Sequence, residues 1–374
     1  MVEKDAKLLA EKYSKGLCSP EELAMIESWY AQLKVEAGAP GHEQITSSMI
    51  EVWAALNLNA RPSVRLWPRI AVAAAAVAAV VVGVYFFSSK YQDASIKTGS
   101  IASVNDIAPG KNGATITLDN GQVIALNGAK KGVIVGEELK YSDGSTDPAL
   151  SRTDISLSEG ERSVMVNAST AKGQMYEFTL PDGTHVWLNA DSKISFPSQF
   201  NGTARKILLS GEAYFEVAKD KAHPFVVESK DQQVEVLGTH FNLNSYDDAL
   251  SSTVTSLLEG SVKVTGKGGA RILKPGERGI NTIKGVMLLR GSAEDDVDWK
   301  NGDFIFRQES LAEIMRRVSR WYGVDVIYEE DVDQMQTFSG SVSRSKPVSA
   351  ILGIMQSTGQ VKFRIAGKKI YINK

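Results

Sequence analysis

Two similar stretches, TLDNGQVIALN at residues 117–127 and TLPDGTHVWLN at residues 179–189, decide the fold predicted for the middle of the chain. In each, a short β-type run leads through Asn-Gly or Asp-Gly into a second β-type run. Glycine supplies the positive φ that such tight hairpin turns require. The repeat therefore predicts antiparallel β-hairpins, which either stack as a solenoid or pack as a sandwich.

The β texture continues on both sides of the second stretch. Short β-type runs divided by Gly, Asn and Asp recur as far as about residue 280. We predict strands at residues 213–218, 225–228, 234–237 and 261–265. We therefore expect a β region with the hairpin repeat at residues 89–170 and an all-β domain at residues 171–285.

The C-terminal segment alternates between strand and helix patterns. A strand is predicted at residues 304–306, and Ser310-Leu311-Ala312-Glu313 forms a capping box that should open a helix. A strand at residues 324–328, a short strand near Phe338, a helix opened by Pro347 and strands at residues 361–365 and 369–372 follow. Residues 295–374 therefore predict a small α+β domain that begins β-α-β.

The run IAVAAAAVAAVVVGVYFF at residues 70–87 contains no charged residue. Its length and apolarity predict a transmembrane helix over residues 66–88, and a buried globular helix is the alternative. A cleaved signal peptide would need this run near the N-terminus. Arg61, Arg65 and Arg69 precede it, against Lys90 and Lys97 after it, so the positive-inside rule places the N-terminus in the cytoplasm. We expect a single-pass inner-membrane protein with a periplasmic C-terminus.

Residues 1–65 show apolar positions at helical spacing and hardly any strand signal. Ser19-Pro20-Glu21-Glu22 is a strong helix start, because serine caps, proline suits the first helical position and glutamate completes the box. The sequence predicts a small all-α cytoplasmic domain. Three short helices form only a marginal core, so a partner protein is expected to complete it.

Composition excludes several classes of function. The chain has 374 residues, a formal charge of -2 and a pI near 6.2, which gives no basis for direct nucleic-acid binding. Cys18 is its only cysteine, so neither a disulfide nor a cysteine-rich zinc site can form. The histidines lack metal-ligand spacing: His42, His185, His223 and His240. We expect no metal and no cofactor.

A series of motifs resembles the FecR family of transmembrane anti-sigma factors. Its members here are DGTHVWLN at residues 182–189, GEAYFEVA at 211–218, HPFVV at 223–227, VLGTHFNL at 236–243, LEGSVKV at 258–264 and LKPGE at 273–277. WKNGDF at 299–304 and RWYGV at 320–324 resemble the C-terminal domain that accompanies this family in Bacteroidetes-type bacteria. That domain is similar to the short N-terminal domain of secretins and TonB-dependent transducers. The Ser19-Pro20-Glu21-Glu22 region is similar to the family's cytoplasmic start.

The resemblance implies a signalling role and no enzymatic activity. The cytoplasmic part would bind an extracytoplasmic-function sigma factor, and the periplasmic part would receive a signal from an outer-membrane TonB-dependent transducer. An intramembrane or periplasmic protease would release the sigma factor. We expect the sigma-factor contact to use Leu8, Leu9, Tyr13, Ile26, Trp29 and Trp53.

Two further sites follow from the resemblance. Strand addition or helix contact at the C-terminal domain would bind the transducer, with Tyr328, Phe338, Ile370 and Ile372 as edge candidates. Some family members cleave themselves at a Gly-Thr bond, and Gly238-Thr239 occupies the position to examine. The structural alternative at this pair is a glycine for a tight bend and a threonine for a strand.

Two competing functions remain open in the sequence. A glycoside hydrolase would need paired acids, for which Asp182, Glu212, Glu216 and Asp247 are the candidates, but their hairpin and strand contexts favour solvated faces. A membrane-anchored periplasmic ligand-binding module without a transcriptional role would use Trp187, Tyr214 and Trp321 for stacking, although aromatics in β domains usually belong to the core.

Overall fold

The computed structural model describes residues 106–374 except residues 137, 147, 152–162, 249–251, 283 and 292. Most of this part is β-sheet. Eighteen strands form its first region: β1 (Lys111–Asn112), β2 (Thr115–Leu118), β3 (Val123–Ala125), β4 (Gly132–Val135), β5 (Leu139–Tyr141), β6 (Met165–Thr170), β7 (Gln174–Thr179), β8 (His185–Leu188), β9 (Ser192–Pro197), β10 (Arg205–Glu216), β11 (Phe225–Ser229), β12 (Gln232–Val236), β13 (His240–Ser245), β14 (Thr253–Glu259), β15 (Val262–Gly266), β16 (Gly269–Leu273), β17 (Glu277–Thr282) and β18 (Gly285–Arg290).

The remaining elements are the short helices and a C-terminal set of strands. The helices are α1 (Pro148–Ser151), a 3-10 turn (Asp295–Val297), α2 (Asp298–Asn301), α3 (Leu311–Tyr322) and α4 (Val348–Gln356). The C-terminal strands are β19 (Asp303–Ser310), β20 (Asp325–Tyr328), β21 (Thr337–Ser343), β22 (Lys362–Ala366) and β23 (Lys369–Asn373).

The fold class predicted from the sequence, with an all-α domain and a membrane-spanning helix beside antiparallel β structure and an α+β domain, is wrong. The described part is mostly β-sheet with short helices, and none of the helices described is both long and apolar enough to span a bilayer. The predicted helical domain at residues 1–65 and the predicted span at residues 66–88 lie outside the described residues. Those predictions rested on hydropathy and periodicity, which report side-chain composition and not packing.

Strands β2–β18 form a two-layer sandwich, and the two-residue β1 pairs with the start of β7. The first layer has the order β3-β2-β6-β9-β10-β11-β12-β15-β16, and the second has the order β5-β4-β7-β8-β10-β13-β14-β17-β18. One apolar core lies between them, running from Ala114 to Val286 along the chain. At its centre Phe215 and Phe241 stack with their ring centroids 4.8 Å apart.

β10 belongs to both layers because it bends at Gly211. Its first half pairs with β9 and β11, and its second half pairs with β8 and β13. Gly211 has φ 97°, and a Cβ there would lie 2.3 Å from Ser192 Oγ. Only glycine fits this position without strain.

The prediction of purely antiparallel sheets is also wrong. β10 pairs with β11 in parallel, and β7 pairs in parallel with both β1 and β4. For β10 and β11 the physical reason is the bend in β10: the chain leaves the second layer after Glu216 and re-enters the first beside the start of β10. Single-strand patterns do not report such crossings.

Both predicted hairpins are confirmed. β2 pairs with β3 across Asn120-Gly121, and β7 pairs with β8 across Asp182-Gly183. The two glycines have φ 83° and 82°, the left-handed region that the turn signal predicts.

The C-terminal domain (β19 through β23) follows the predicted order of strands and helices. Its sheets are β19-β21 and β20-β23-β22, and α3 and α4 pack on them over a separate apolar core. The predicted capping box is confirmed: the Ser310 side chain accepts from the Glu313 N–H, and the Glu313 carboxylate accepts from the Ser310 N–H.

Candidate functional site

Polar and aromatic side chains on the outer face of the second layer are buried or partly buried. If that face were not covered, they would be exposed to solvent. Trp187 lies beside Tyr214 on β8 and β10, and Tyr214 lies beside Asn242 on β13. In the first half of β10, residues alternate between buried and exposed, whereas residues 211–215 are all buried. The second half is therefore covered on both faces, because the C-terminal domain packs against this outer face.

Helix α2 makes the first contact of this junction between the sandwich and the C-terminal domain. Trp299, the second residue of the helix, is buried, and its indole Nε1 donates to Asn242 Oδ1 at 3.3 Å. Lys300 Nζ lies 4.0 Å from the centroid of the Trp187 ring and 4.2 Å from that of Tyr214. It also donates to Glu216 Oε1 at 3.0 Å, so one ammonium holds two rings and a carboxylate together.

Glu212 is the acid at the centre of the junction. Its carboxylate accepts hydrogen bonds from three amides, those of Asn189 at 2.7 Å, Asn242 at 3.0 Å and Asn244 at 3.3 Å. Burial raises the pKa of Glu212, and the amide hydrogen bonds oppose that rise. The Glu212 carboxylate is therefore stabilised by side-chain amide dipoles and forms no direct ion pair.

Arg344 is the basic counterpart on the C-terminal domain. Its Nη2 donates to Asn189 Oδ1 at 3.2 Å, and its Nη1 donates to the Trp299 carbonyl at 2.7 Å. The guanidinium lies 3.8 Å from the centroid of the Trp321 ring, and burial lowers the pKa of Arg344 to about 10. Asn189 thus links a buried arginine to the buried Glu212 across the two domains.

A second group of charges connects α2, β19 and α3. Arg317 pairs with Asp298 and, at 2.8 Å, with Glu309. Burial disfavours its charge, but the two carboxylates raise the pKa of Arg317 overall. Burial raises the pKa of Glu309, which Arg317 opposes. Because a buried ion pair that loses one partner leaves an uncompensated charge, this group fixes α2 against the C-terminal domain.

The loop after β13 makes the third contact. Arg320 Nη1 donates to Asp248 Oδ2 at 2.8 Å, and the Arg320 guanidinium lies 3.8 Å from the Tyr246 ring centroid. The Tyr246 hydroxyl donates to the Ala190 carbonyl at 2.5 Å. Arg320 therefore ties helix α3 to the loop after β13, and Tyr246 ties that loop to the segment after β8.

A cleft of about 650 Å³ lies beside these contacts, between the outer face and the C-terminal domain. Arg278 pairs with Asp296 at 2.7 Å and Arg307 pairs with Asp295 at 2.6 Å on its walls. Burial raises the pKa of Asp296, and Arg278 opposes that rise. Among the described residues, no group of three or more His, Cys, Asp or Glu side chains could hold a metal ion.

What this arrangement does chemically is to couple two domains. Separating them would break several hydrogen bonds between charged and polar groups, each contributing roughly 1.5 to 3 kcal/mol. The sandwich and the C-terminal domain are therefore expected to move together when either is pulled or bound.

The predicted transducer-binding residues all pack into or against the apolar core of the C-terminal domain. Ile370 and Ile372 are buried, and β23 lies between β20 and β22, so the expected free edge is wrong for this strand. Phe338 is buried on β21, and Tyr328 is partly buried on β20, the outer strand of its sheet. The structure does not bring these four side chains to one surface.

The Gly238-Thr239 pair lies between β12 and β13. Gly238 has φ 140°, and a Cβ there would lie 2.9 Å from the Lys219 Cα, so the glycine is required by the bend. The Thr239 hydroxyl is buried and donates to the Ser261 carbonyl at 3.1 Å. The predicted sigma-factor contacts, Leu8, Leu9, Tyr13, Ile26, Trp29 and Trp53, lie outside the described residues.

The four acids weighed for hydrolysis each have a different partner. Asp182 pairs with Arg205 at 2.6 Å, Glu212 with the amides, Glu216 with Lys300, and Asp247 with Lys230. The aromatics weighed for ligand stacking lie against cations of the same chain at the junction. Sequence reasoning missed Arg344 and Arg317. The motifs DGTHVWLN, GEAYFEVA, VLGTHFNL, WKNGDF and RWYGV contain other residues of the junction, but no sequence pattern placed those residues together.

Comparison with known proteins gives two family matches. The model described as "FecR protein" matches residues 166–263, which contain Asn189, Glu212 and Asn242. The model described as "FecR, C-terminal" matches residues 303–372, which contain Arg317 and Arg344. Each matched segment therefore supplies one side of the junction.

Two crystal structures resemble the fold. Both are of a proposed anti-sigma factor from Parabacteroides distasonis ATCC 8503, at 1.65 and 2.50 Å, and both have a TM-score of 0.53 at 26% identity. The similarity covers 56% of this chain and 98% or 99% of theirs. No curated protein matches the chain.

Proposed function

Because this chain belongs to the FecR family, we propose that it is an anti-sigma factor that regulates transcription by binding a sigma factor. The observation that carries the proposal is the pair of family matches, in chain order, on the two halves of one buried junction. The likeness to the proposed anti-sigma factor from Parabacteroides distasonis supports it.

The finer proposal concerns partners and location. FecR-family proteins are typically anchored to a membrane, and we propose that this chain lies in the inner membrane with its N-terminus in the cytoplasm and its C-terminus in the periplasm. An extracytoplasmic-function sigma factor would be the cytoplasmic partner, and a TonB-dependent outer-membrane transducer the periplasmic one. A periplasmic or intramembrane protease would act between them. The asymmetry of arginines about residues 70–87 supports this orientation.

We propose further that the sigma factor contacts the apolar side chains of Leu8, Leu9, Tyr13, Ile26, Trp29 and Trp53. On the other side, the transducer would contact the C-terminal domain at β20, the strand that carries Tyr328. Phe338, Ile370 and Ile372 would then act by holding that surface in shape, because their side chains are buried.

Co-purification tests the cytoplasmic half of the proposal. The tagged full chain is expressed in its host, and extracytoplasmic-function sigma factors in the eluate are identified by mass spectrometry. We expect one such factor with the full chain and with a chain lacking residues 303–374, and none with a chain lacking residues 1–65. Equal recovery with all three, or recovery with none, would contradict the assignment.

Self-cleavage between Gly238 and Thr239 is a separate proposal. It requires the Thr239 hydroxyl to leave the Ser261 carbonyl and attack the carbonyl carbon of Gly238. The Gly238–Thr239 C–N bond would then break, which gives an ester and a free Thr239 amino group, and water would hydrolyse the ester to release two fragments. A denaturing gel of the purified full chain would show two fragments if cleavage occurs, and Thr239→Ala would restore one band. A single intact band from the unaltered chain would refute the proposal.

A further inference from the structure

Strand β18 stands at the end of the second layer and exposes apolar side chains on both of its faces. It pairs only with β17 among the described strands. Val286, near its start, is buried, but the exposed fractions of Met287, Leu288 and Leu289 are 48, 39 and 40%. Edge strands of stable soluble domains usually avoid such a run, because it is a template for pairing with another chain.

The opposite layer closes over only one end of β18. At the hairpin tips, a Cβ on Gly268 would lie 2.6 Å from the Gly285 Cα, so the backbones of the two hairpins touch there. The exposed residues lie beyond this contact, toward Arg290. An added strand would therefore have access to residues 287–290.

Backbone groups of β18 also face away from its partner. Hydrogen-bonded and non-bonded pairs alternate along an antiparallel ladder. Gly291 N–H donates to the Gly276 carbonyl, so by alternation Leu289 is bonded to β17, whereas Leu288 and Arg290 direct their N–H and C=O groups outward. A partner strand would satisfy those outward groups.

The charges around this edge are mainly positive. Arg271, Lys274, Lys284 and Arg290 are all exposed there. Glu277 on β17 is an acid at this edge, but only 14% of its side chain is exposed, with Arg290 Nε at 3.6 Å. Glu294, four positions beyond Arg290, is an exposed acid. A segment that carries acidic side chains would match this rim.

We propose that β18 is a docking edge for an extended, acidic segment of a partner protein, which adds as a strand and alternates apolar with acidic residues. A second copy of this chain fits less well, because self-pairing would bring Lys284 and Arg290 close to those of the other copy. An anionic membrane surface fits less well too, because lipid cannot satisfy the outward backbone groups. The proposal stands independently of the sigma-factor assignment.

Peptide binding to the purified full chain tests the proposal. The probe is a fluorescein-labelled synthetic peptide of about ten residues in which valine alternates with glutamate, and lysine replaces glutamate in the comparison peptide. We expect saturable binding of the glutamate peptide and at least about tenfold weaker binding of the lysine peptide.

Two variants address the backbone and the charge separately. Leu288→Pro removes an outward N–H without removing a bond to β17, since proline is tolerated on the open side of edge strands. We expect it to weaken the glutamate peptide about tenfold or more. Arg290→Glu should weaken the glutamate peptide and strengthen the lysine peptide.

The matched control is Val123→Pro, on the exposed edge strand β3 at the far end of the sandwich. It should bind the glutamate peptide as the unaltered chain does, and all variants should keep its thermal midpoint within a few degrees. Unchanged binding by Leu288→Pro would overturn the proposal. The proposal would also be overturned if the unaltered chain did not bind the peptide but bound phosphatidylglycerol vesicles, or if it dimerised through Leu288.

Discussion

At the scale of single residues, two buried charged groups at the centre of the junction, Glu212 and Arg344, do not touch an opposite charge directly. Glu212 is surrounded by the amides of Asn189, Asn242 and Asn244, and Arg344 lies on the ring of Trp321. Such groups are stable only while all partners stay in place, because a buried polar atom without a partner is costly. The junction is therefore specific as well as cohesive.

A pH-dependent prediction follows for Glu212, because burial raises its pKa in the folded chain. A group with a raised folded pKa stabilises the fold most below its unfolded pKa of about 4.3, and this contribution is lost as pH rises through the folded pKa. Glu212→Gln lacks that dependence. We expect the free energy of unfolding of the unaltered chain, relative to Glu212→Gln, to fall as pH rises above about 4.

Urea denaturation at several pH values measures this difference. Glu330→Gln is the control, since Glu330 is exposed in a turn. Its difference from the unaltered chain is subtracted from that of Glu212→Gln at each pH. The prediction would be contradicted if the free energy of unfolding of the unaltered chain, relative to Glu212→Gln, increased toward neutral pH.

Lys300 gives the second prediction at this scale. Lys300→Met keeps the apolar stem but removes the charge that lies between Trp187 and Tyr214 and pairs with Glu216. We expect a loss of about 1 to 2 kcal/mol in the free energy of unfolding, together with a changed tryptophan emission spectrum. Lys206→Met, on the exposed face of β10, should change neither. Equal effects of the two substitutions would contradict a stabilising role for the Lys300 ammonium between the two rings and Glu216.

At the scale of elements, β10 is the strand that decides the architecture. Its bend at Gly211 places its first half in one layer and its second half in the other, and the second half then receives the C-terminal domain. The sandwich core and the junction therefore depend on one backbone conformation at one residue.

Gly211→Ala tests that dependence. The new Cβ would lie 2.3 Å from Ser192 Oγ and 2.8 Å from the Ser192 Cα, in a backbone conformation with φ 97°. We expect a loss of about 3 kcal/mol or more, because both overpacking and strain are introduced. Gly340→Ala on β21 meets no atom within 4 Å and should stay within about 0.5 kcal/mol of the unaltered chain. Denaturant unfolding of both variants decides the matter.

The elements also show how far sequence patterns reach. Both hairpins and the Ser310 capping box could be predicted, because turn glycines and cap residues act over a few positions. The parallel pairing of β10 with β11 could not, since it depends on where the chain crosses between layers. Nor could the interior position of β23, because periodicity does not reveal which strands become neighbours.

At the scale of the whole molecule, the junction joins residues that lie far apart in the sequence. Asn189 and Arg344 are 155 positions apart, and no local pattern relates them. The motif series indicated the family, whereas the site emerged only from the fold. These contacts suit a protein that transmits a signal, because a displacement of the C-terminal domain on binding a partner would be transmitted to the sandwich through them.

The most direct measurement of the anti-sigma assignment is transcription from a promoter of the proposed sigma factor, in cells with and without this chain. We expect deletion of the chain to change reporter output, with the unaltered gene restoring the original level. Output that is the same with and without the chain, while the reporter still responds to its sigma factor, would contradict the regulatory role.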